Sequence, residues 1–357
     1  MSTIVPFGPQ HPVLPEPIQL CLELEDERVV SVIPVVGYVH RGLEKIAEKK
    51  DFIQDTYLIE RICGICSFIH SMTYCMGIEE LMSIPVPPRA LYLRVVWSEL
   101  HRIHSHLLAL GLLADAFGFE NLFMQYWRSR ERIMDAMECT TGGRVMLSSC
   151  CIGGVRRDID DEQKKFVLDQ LKEVEKEVAS LNRTMMEDYS VRRRMVGIGI
   201  LTKETAFARG AVGPTARGSG VVMDHRLSGY AAYGDLAFEP VVENDGDCFA
   251  RTMVRCREVM QSIDLVRQAL AKLPDSELKT PFKGNPTGEA VIRCEQPRGE
   301  VLYFLRGNGT DKLERLRVRT PTFANIPAML AMLQNCQLPD VGVIIISVDP
   351  CVSCTER

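Results

Sequence analysis

The sequence predicts an α+β fold, a mainly helical bundle body with small sheets formed by its N- and C-terminal segments. Two observations carry that expectation. From about residue 89 to 273, apolar side chains recur at helical spacing through four long stretches, whereas both ends switch to short β-branched or alternating runs broken by turn sequences. The composition permits it: 357 residues, 46% hydrophobic and 25% charged, is an ordinary globular balance with enough apolar side chains for a large core. No internal repeat or low-complexity linker divides the chain. The economical arrangement is one domain over 1–357: N-terminal strands and helix to residue 60, a helical body over 61–275, and an α/β part over 276–357.

Taken in order, IQLCLEL (18–24) and RVVSVIPVV (28–36) read as two strands around the charged turn EDE, and GLEKIAEKKDFIQDTYLIERI follows as a helix. Arg89 to about Phe117 and Asn121 to Glu138 are two long helices separated by GFE. Asp160 to Tyr189 is a charged amphipathic helix with Asp160 and Asp161 at its positive end. Another helix runs from about Asp247 to Leu273. EAVIRCEQ, GEVLYFLRG and RLRVRT then read as strands, with GNGTDK as a hairpin turn, NIPAMLAMLQ as a helix and GVIIISV as a buried strand. Bundled helices place side chains from several elements around one interior site.

The formal charge of −5 argues against a nucleic-acid partner, because phosphate neutralisation needs clustered Lys and Arg. The one dense run, Arg192 to Arg194, reads as a solvated face or a subunit contact. The N-terminus lacks the basic and apolar regions of a secretion signal, which predicts a chain that stays in the cytoplasm. No stretch reaches about 18 uninterrupted apolar residues, so any membrane association is expected to come through partners. Thirteen cysteines is a high and odd count, which in a reducing compartment points to metal or redox chemistry rather than disulfides.

Four of those cysteines form two CxxC pairs: Cys63 and Cys66 in RICGICSFIH, followed by His70, and Cys351 and Cys354 in DPCVSC. A CxxC lets two thiolates converge on one metal, and four soft thiolates suit zinc, an iron-sulfur cluster, or nickel with iron. Spacing alone does not choose among them. A local zinc ribbon keeps its pairs within about 20 residues; these pairs lie at opposite ends of the chain and can share a site only in the folded protein.

The flanking residues do choose. Arg61, Cys63, Gly64, Cys66 and His70, with Asp349, Pro350, Cys351 and Cys354, resemble both signature motifs of nickel-iron hydrogenase large subunits. The ending CTER, where many hydrogenases of this class carry a histidine, is similar to the membrane-associated, energy-converting (Ech-type, group 4) branch. GPQHPVLPEP, GRVMLSSCCIGGVRRDI and GPTARGSGVVMDHR resemble the quinone-site subunit of respiratory complex I, a relative of that branch, so the resemblance spans nearly the whole chain. It implies a nickel held by four cysteine sulfurs, two of them shared with an iron carrying carbon monoxide and two cyanide ligands. By position, Cys63 and Cys351 would be terminal nickel ligands, and Cys66 and Cys354 bridging ones. Thiolates suit that task because they donate strongly to nickel and can take up a proton.

The resemblance also assigns surrounding residues. Arg298, in EQPRGE, matches an arginine over the open metal face; a turn arginine paired with Glu300 is the plainer reading of the same residues. His70 matches a histidine bonded to a bridging sulfur. Glu16, in LPEP, lies near the position of a glutamate that exchanges protons with a cysteine sulfur, although an exposed loop residue between two prolines explains it too. Glu44, in HRGLE, resembles a carboxylate ligand of a third ion, Mg2+ or another divalent cation near the C-terminus, and a helix N-terminal placement accounts for it equally. His101, His104 and His106 are expected to be packing or partner-facing residues rather than metal ligands.

The remaining cysteines, including Cys150 and Cys151, show no second metal spacing and default to small apolar residues. Electrons then need a partner. The resemblance implies a small subunit with a 4Fe4S cluster, a ferredoxin-like iron-sulfur subunit, integral membrane ion-translocating subunits, and soluble ferredoxin as donor, with this chain peripheral on the cytoplasmic side of the cell membrane. It further implies a C-terminal extension removed after nickel insertion, which would make Arg357 a trimmed end. The expected reaction is reversible reduction of protons to hydrogen. Two rivals share parts of the pattern: a complex I-like scaffold subunit, which binds quinone and has generally lost the four thiolates, and a noncatalytic zinc-binding interaction protein.

Overall fold

The two expected N-terminal strands pair, and a third over Thr3–Phe7 that the sequence reading did not foresee joins them. In the computed structural model, which describes residues 2–357, β1 (Thr3–Phe7), β2 (Gln19–Glu25) and β3 (Arg28–Val35) form an antiparallel sheet in sequence order, and Leu20, Leu22 and Leu24 alternate into the core. The predicted helix over 42–62 is instead two short ones, α1 (Leu43–Ala47) and α2 (Asp55–Glu60). Asp51 ends the first helical run: its Oδ1 accepts from the Ile53 N–H at 2.7 Å, an Asx turn that competes with helix continuation.

The body follows as α3 (Ser67–Met82), α4 (Pro88–Ala116) and α5 (Glu120–Thr141), then a two-stranded ribbon of β4 (Cys150–Cys151) and β5 (Gly154–Val155) that the sequence reading did not foresee. Next come α6 (Asp161–Glu187), α7 (Tyr189–Met195), α8 (Lys203–Ala208), α9 (Gly213–Arg217) and α10 (Cys248–Ala271). At the start of α6 a capping box forms: Asp160 accepts from the Gln163 N–H at 2.8 Å while Gln163 accepts from the Asp160 N–H at 3.2 Å. α4 is buried on nearly every side because α5, α10 and a C-terminal helix pack around it.

The C-terminal part contributes β6 (Thr287–Gln296), β7 (Gly299–Asn308) and β8 (Leu313–Arg319), an antiparallel sheet in sequence order, then α11 (Pro321–Leu333), α12 (Val341–Val348) and α13 (Val352–Glu356). GVIIISV, expected as a strand, is helix α12. A short all-apolar run has no periodicity to separate strand from helix, and here it is enclosed by α4, α10 and α11, with no strand beside it to pair. It stops at Asp349, whose φ of 61° is left-handed, ahead of Pro350. Among the described residues no helix is long and apolar enough to cross a membrane.

Two glycines fix the turn that bears Arg298. Gln296 pairs with Gly299, leaving Pro297 and Arg298 as a two-residue hairpin loop between β6 and β7. Gly213, at φ +64°, packs against it so closely that an added Cβ would lie 2.3 Å from the Arg298 carbonyl oxygen, and one on Gly299, at φ +128°, would lie 2.6 Å from the Gly213 nitrogen.

One buried acid stands alone. Asp55 has no exposed surface, and neither carboxylate oxygen has a partner among the described residues; burial, then repulsion from Asp51, pushes its pKa up to about 8. Because that lies above the unfolded value of ~3.9, the stability associated with this proton is fully present below pH ~4 and is lost as pH rises through 8. Asp55→Asn is therefore expected to leave the thermal midpoint unchanged near pH 4 and to raise it by several degrees at pH 9. An equal shift at both pH values in a calorimetric scan would refute this.

Candidate metal centre

The two thiol pairs meet in the interior. Cys63 and Cys66 leave the turn between α2 and α3, and Cys351 and Cys354 lie at the start of α13, all four buried. The Cys63 and Cys351 sulfurs are 3.2 Å apart, and those of Cys66 and Cys354 are 3.5 Å apart. Metal–sulfur bonds of about 2.3 Å meeting at roughly 90–100° subtend separations of that size. Cys63, Cys351 and Cys354 lie within 4.8 Å of one another at their ligand atoms, as do Cys66, His70 and Cys354.

Without a cation these thiols do not ionise together. Hydrogen bonds from Cys351, then Cys354 and Cys66, hold Cys63 well below its usual range, while burial, followed by hydrogen bonds to the other three cysteines, pushes Cys354 well up. One thiolate among protonated neighbours is the electrostatic outcome for four buried sulfurs, and a soft cation is what allows all four to be thiolates. The donor set fits nickel and iron.

His70, the first-turn histidine of α3, is fully buried between two partners. Its Nδ1 is 2.6 Å from the Tyr303 hydroxyl and its Nε2 is 3.4 Å from Cys354 Sγ. Burial pushes the His70 pKa down to about 4 and that of Tyr303 well up, so a neutral imidazole faces a protonated phenol. Tyr303 then donates to Nδ1, which leaves the proton on Nε2 to point at the sulfur.

Arg298 does not pair with Glu300. Its Nε donates to the Asp349 carbonyl oxygen at 2.7 Å, Nη2 to Asp349 Oδ1 at 2.8 Å and Nη1 to Ser105 Oγ at 3.1 Å. The guanidinium is buried, and its field reaches Cys351, Cys63 and Cys66. Glu16 is half-buried and caps the segment after Cys351: its Oε2 accepts from the N–H groups of Val352 (2.5 Å) and Ser353 (3.1 Å), and Oε1 takes the Ser353 hydroxyl. Its charge acts on the Cys351 thiol.

Glu44, expected to ligate a divalent ion, is already occupied by its own chain. Its Oε1 accepts from Arg357 Nε and the Val318 N–H, both at 2.9 Å, and Oε2 from Arg317 at 3.2 Å. Two guanidinium groups at one carboxylate repel a further cation, and Glu44 belongs to neither ligand group found among the described residues. These residues do not fit a divalent metal.

The three α4 histidines are buried, so none faces a partner, and none is grouped with the sulfurs. His101 Nδ1 is 3.2 Å from the Ile65 carbonyl oxygen, Arg130 Nε donates to His104 Nδ1 at 3.2 Å, and His106 Nε2 meets Glu258 at 2.8 Å. Sequence reasoning missed Tyr303 and Arg41, whose Nη2 donates to the carbonyl oxygens of Ile62 and Ser353, both at 2.9 Å, so that one guanidinium ties the two thiol segments together. It also gave no role to the residues of GPTARGSGVVMDHR. Arg217 pairs with Glu258 and Glu295 at 2.8 Å, and Arg226 with Asp224 at 2.7 Å, in a buried network beneath the β6 end that leads into the Arg298 turn.

Comparison with known proteins agrees with this geometry. Residues 117–285 and 280–357 match the family described as the respiratory-chain NADH dehydrogenase 49 kDa subunit, and residues 41–114 match nickel-dependent hydrogenase. The chain is 41% identical over 364 residues to the carbon monoxide-induced hydrogenase of Rhodospirillum rubrum, covering 100% of both chains. It is 40% identical to the membrane-bound hydrogenase subunit alpha of Pyrococcus furiosus, covering 99% of this chain and 87% of that one. A solved structure of the membrane-bound sulfane sulfur reductase, an archaeal respiratory membrane complex, superposes with a TM-score of 0.95 at 30% identity, covering 100% of this chain and 98% of that one. The chain belongs to the family of nickel-iron hydrogenase large subunits related to the 49 kDa subunit of complex I, in its energy-converting, membrane-associated branch.

Proposed function

We propose that this chain holds nickel and iron through Cys63, Cys66, Cys351 and Cys354 and reversibly reduces protons to hydrogen with electrons delivered by a partner subunit. The observation that carries the reading is the meeting of four buried thiols from opposite ends of the chain, with sulfur separations of 3.2 and 3.5 Å. When bound, the nickel-iron group, its iron carrying carbon monoxide and two cyanides, supplies the redox site at which two protons and two electrons are exchanged with hydrogen. Cys63, Cys66, Cys351 and Cys354 would hold it through their sulfurs.

The chain's residues handle charge and protons. His70 donates its Nε2 proton to Cys354, which draws electron density from that sulfur. Arg298, held rigidly by Asp349 and Ser105, offsets the thiolate charge. Glu16 is the acid–base group that exchanges protons between solvent and a cysteine sulfur, because it is half-buried and anchored beside Cys351. Electrons arrive from reduced ferredoxin through a ferredoxin-like subunit and a small subunit with a 4Fe4S cluster. Membrane subunits couple the reaction to ion translocation and hold this chain on the cytoplasmic side.

The fold is shared with a sulfane sulfur reductase, so a second reaction belongs in the test. Metal analysis and infrared spectroscopy of the purified complex are expected to give nickel with iron, carbon monoxide and cyanide bands, and hydrogen evolution. Zinc as the sole metal would sink the reading. Sulfane sulfur reduction without hydrogen evolution would favour the second reaction.

A further inference from the structure

We propose that the Arg357 guanidinium, seated on the Glu44 carboxylate, is the resident cation of this corner and locks the thiol-bearing segment 351–357 in place without a divalent metal. The inference rests on the placement of the thiols proposed above but not on their reaction. Arg357 has the attributes of a built-in cation. Its side chain and that of Glu44 are each 16% exposed, and Nε meets Oε1 at 2.9 Å. Its Nη1 donates to the Thr355 carbonyl oxygen at 2.9 Å, and its guanidinium lies 5.4 Å from the Phe323 ring centroid.

The rest of the segment 37–44 grips the same stretch of chain. The Gly37 and Val39 N–H groups both donate to the Glu356 carboxylate at 2.6 Å, His40 Nδ1 lies 2.5 Å from the Glu356 carbonyl oxygen, and Arg41 reaches the Ser353 carbonyl oxygen. Each residue from Ser353 to Arg357, except Cys354 and Thr355, is thus held by a group from 37–44. Thr320 Oγ1 donates to the Cys354 carbonyl oxygen at 2.9 Å and completes the clamp on the cysteine. A divalent ion is a common way to draw carboxylates from distant segments together; here Glu44 is satisfied by the Arg357 and Arg317 guanidinium groups and the Val318 N–H, and Glu356 by backbone N–H groups, so such an ion finds no free carboxylate oxygen.

The test uses the purified complex. Dialysis against EDTA, with metal analysis and a thermal scan before and after, is expected to find no magnesium, manganese or zinc at one per chain and no fall in the unfolding midpoint. A stoichiometric, chelator-removable divalent ion whose loss lowers the midpoint overturns the proposal, whatever the nickel content, whereas the hydrogenase reading fails on nickel and the infrared bands. Glu44→Gln and Arg357→Gln complete the test. Each is expected to lower the midpoint by about 2–4 °C, the double variant by clearly less than the sum of the two singles, and Arg357→Lys by less than Arg357→Gln. Additive losses overturn it.

Discussion

Replacing Cys354 with serine is expected to remove nickel and hydrogen turnover together while leaving the fold intact. Cys354 is common to both three-residue ligand groups, 3.5 Å from the Cys66 sulfur and 3.4 Å from His70 Nε2. Serine is nearly isosteric, so the surrounding helices should keep their circular dichroism. Its hydroxyl, however, is a harder donor that stays protonated near neutral pH, and it cannot replace a soft bridging thiolate. Nickel should drop from stoichiometric to near zero and hydrogen evolution to background. Retention of both would remove Cys354 from the centre.

Glu16→Gln separates proton transfer from metal binding. Turnover in either direction needs an acid–base group that carries the proton between solvent and sulfur, and an amide cannot act as one. Metal content and infrared bands are expected to survive while hydrogen evolution and hydrogen–deuterium exchange fall by about 100-fold or more. Glu16 also caps α13, accepting three hydrogen bonds from Val352 and Ser353, so capping needs its own control. Ser353→Ala removes one of those donors without touching the carboxylate and should keep most of the exchange rate. Near-normal exchange in Glu16→Gln would show that the gate lies elsewhere.

What the sequence disclosed divides along a physical line. Long amphipathic helices and alternating strands were legible because their periodicity is local, and the four cysteines because the flanking Arg61, Gly64, Asp349 and Pro350 are as distinctive as the thiols. GVIIISV misled because β-branched residues favour strands only where a neighbouring strand can pair, and its surroundings are helical. Arg41 left no signal. An arginine between histidine and glycine reads as solvated, and its acceptors, the carbonyl oxygens of Ile62 and Ser353, become neighbours only after tertiary closure. Tyr303 is one inward residue of a regular strand, distinguished only by the imidazole across from it. Glu44 was singled out from HRGLE as a ligand of a divalent ion; its contact with Arg357 joins residues 313 apart and left no local signal.

The 288-residue separation of Cys63 from Cys351 also sets a timetable. At synthesis rates of roughly 5–20 residues per second, the second thiol pair leaves the ribosome about 15–60 s after the first. Throughout that interval Cys63, Cys66 and His70 are a half-site of two thiolates and an imidazole, the ligand types that zinc accepts readily. Closing a loop of this length then costs roughly 5 kcal/mol of chain entropy before any sulfur–sulfur contact forms. A site built from such remote halves is incomplete while the nascent chain is still emerging; the four-thiolate donor set exists only after residue 354 is made, and until then the exposed half cannot favour nickel over zinc.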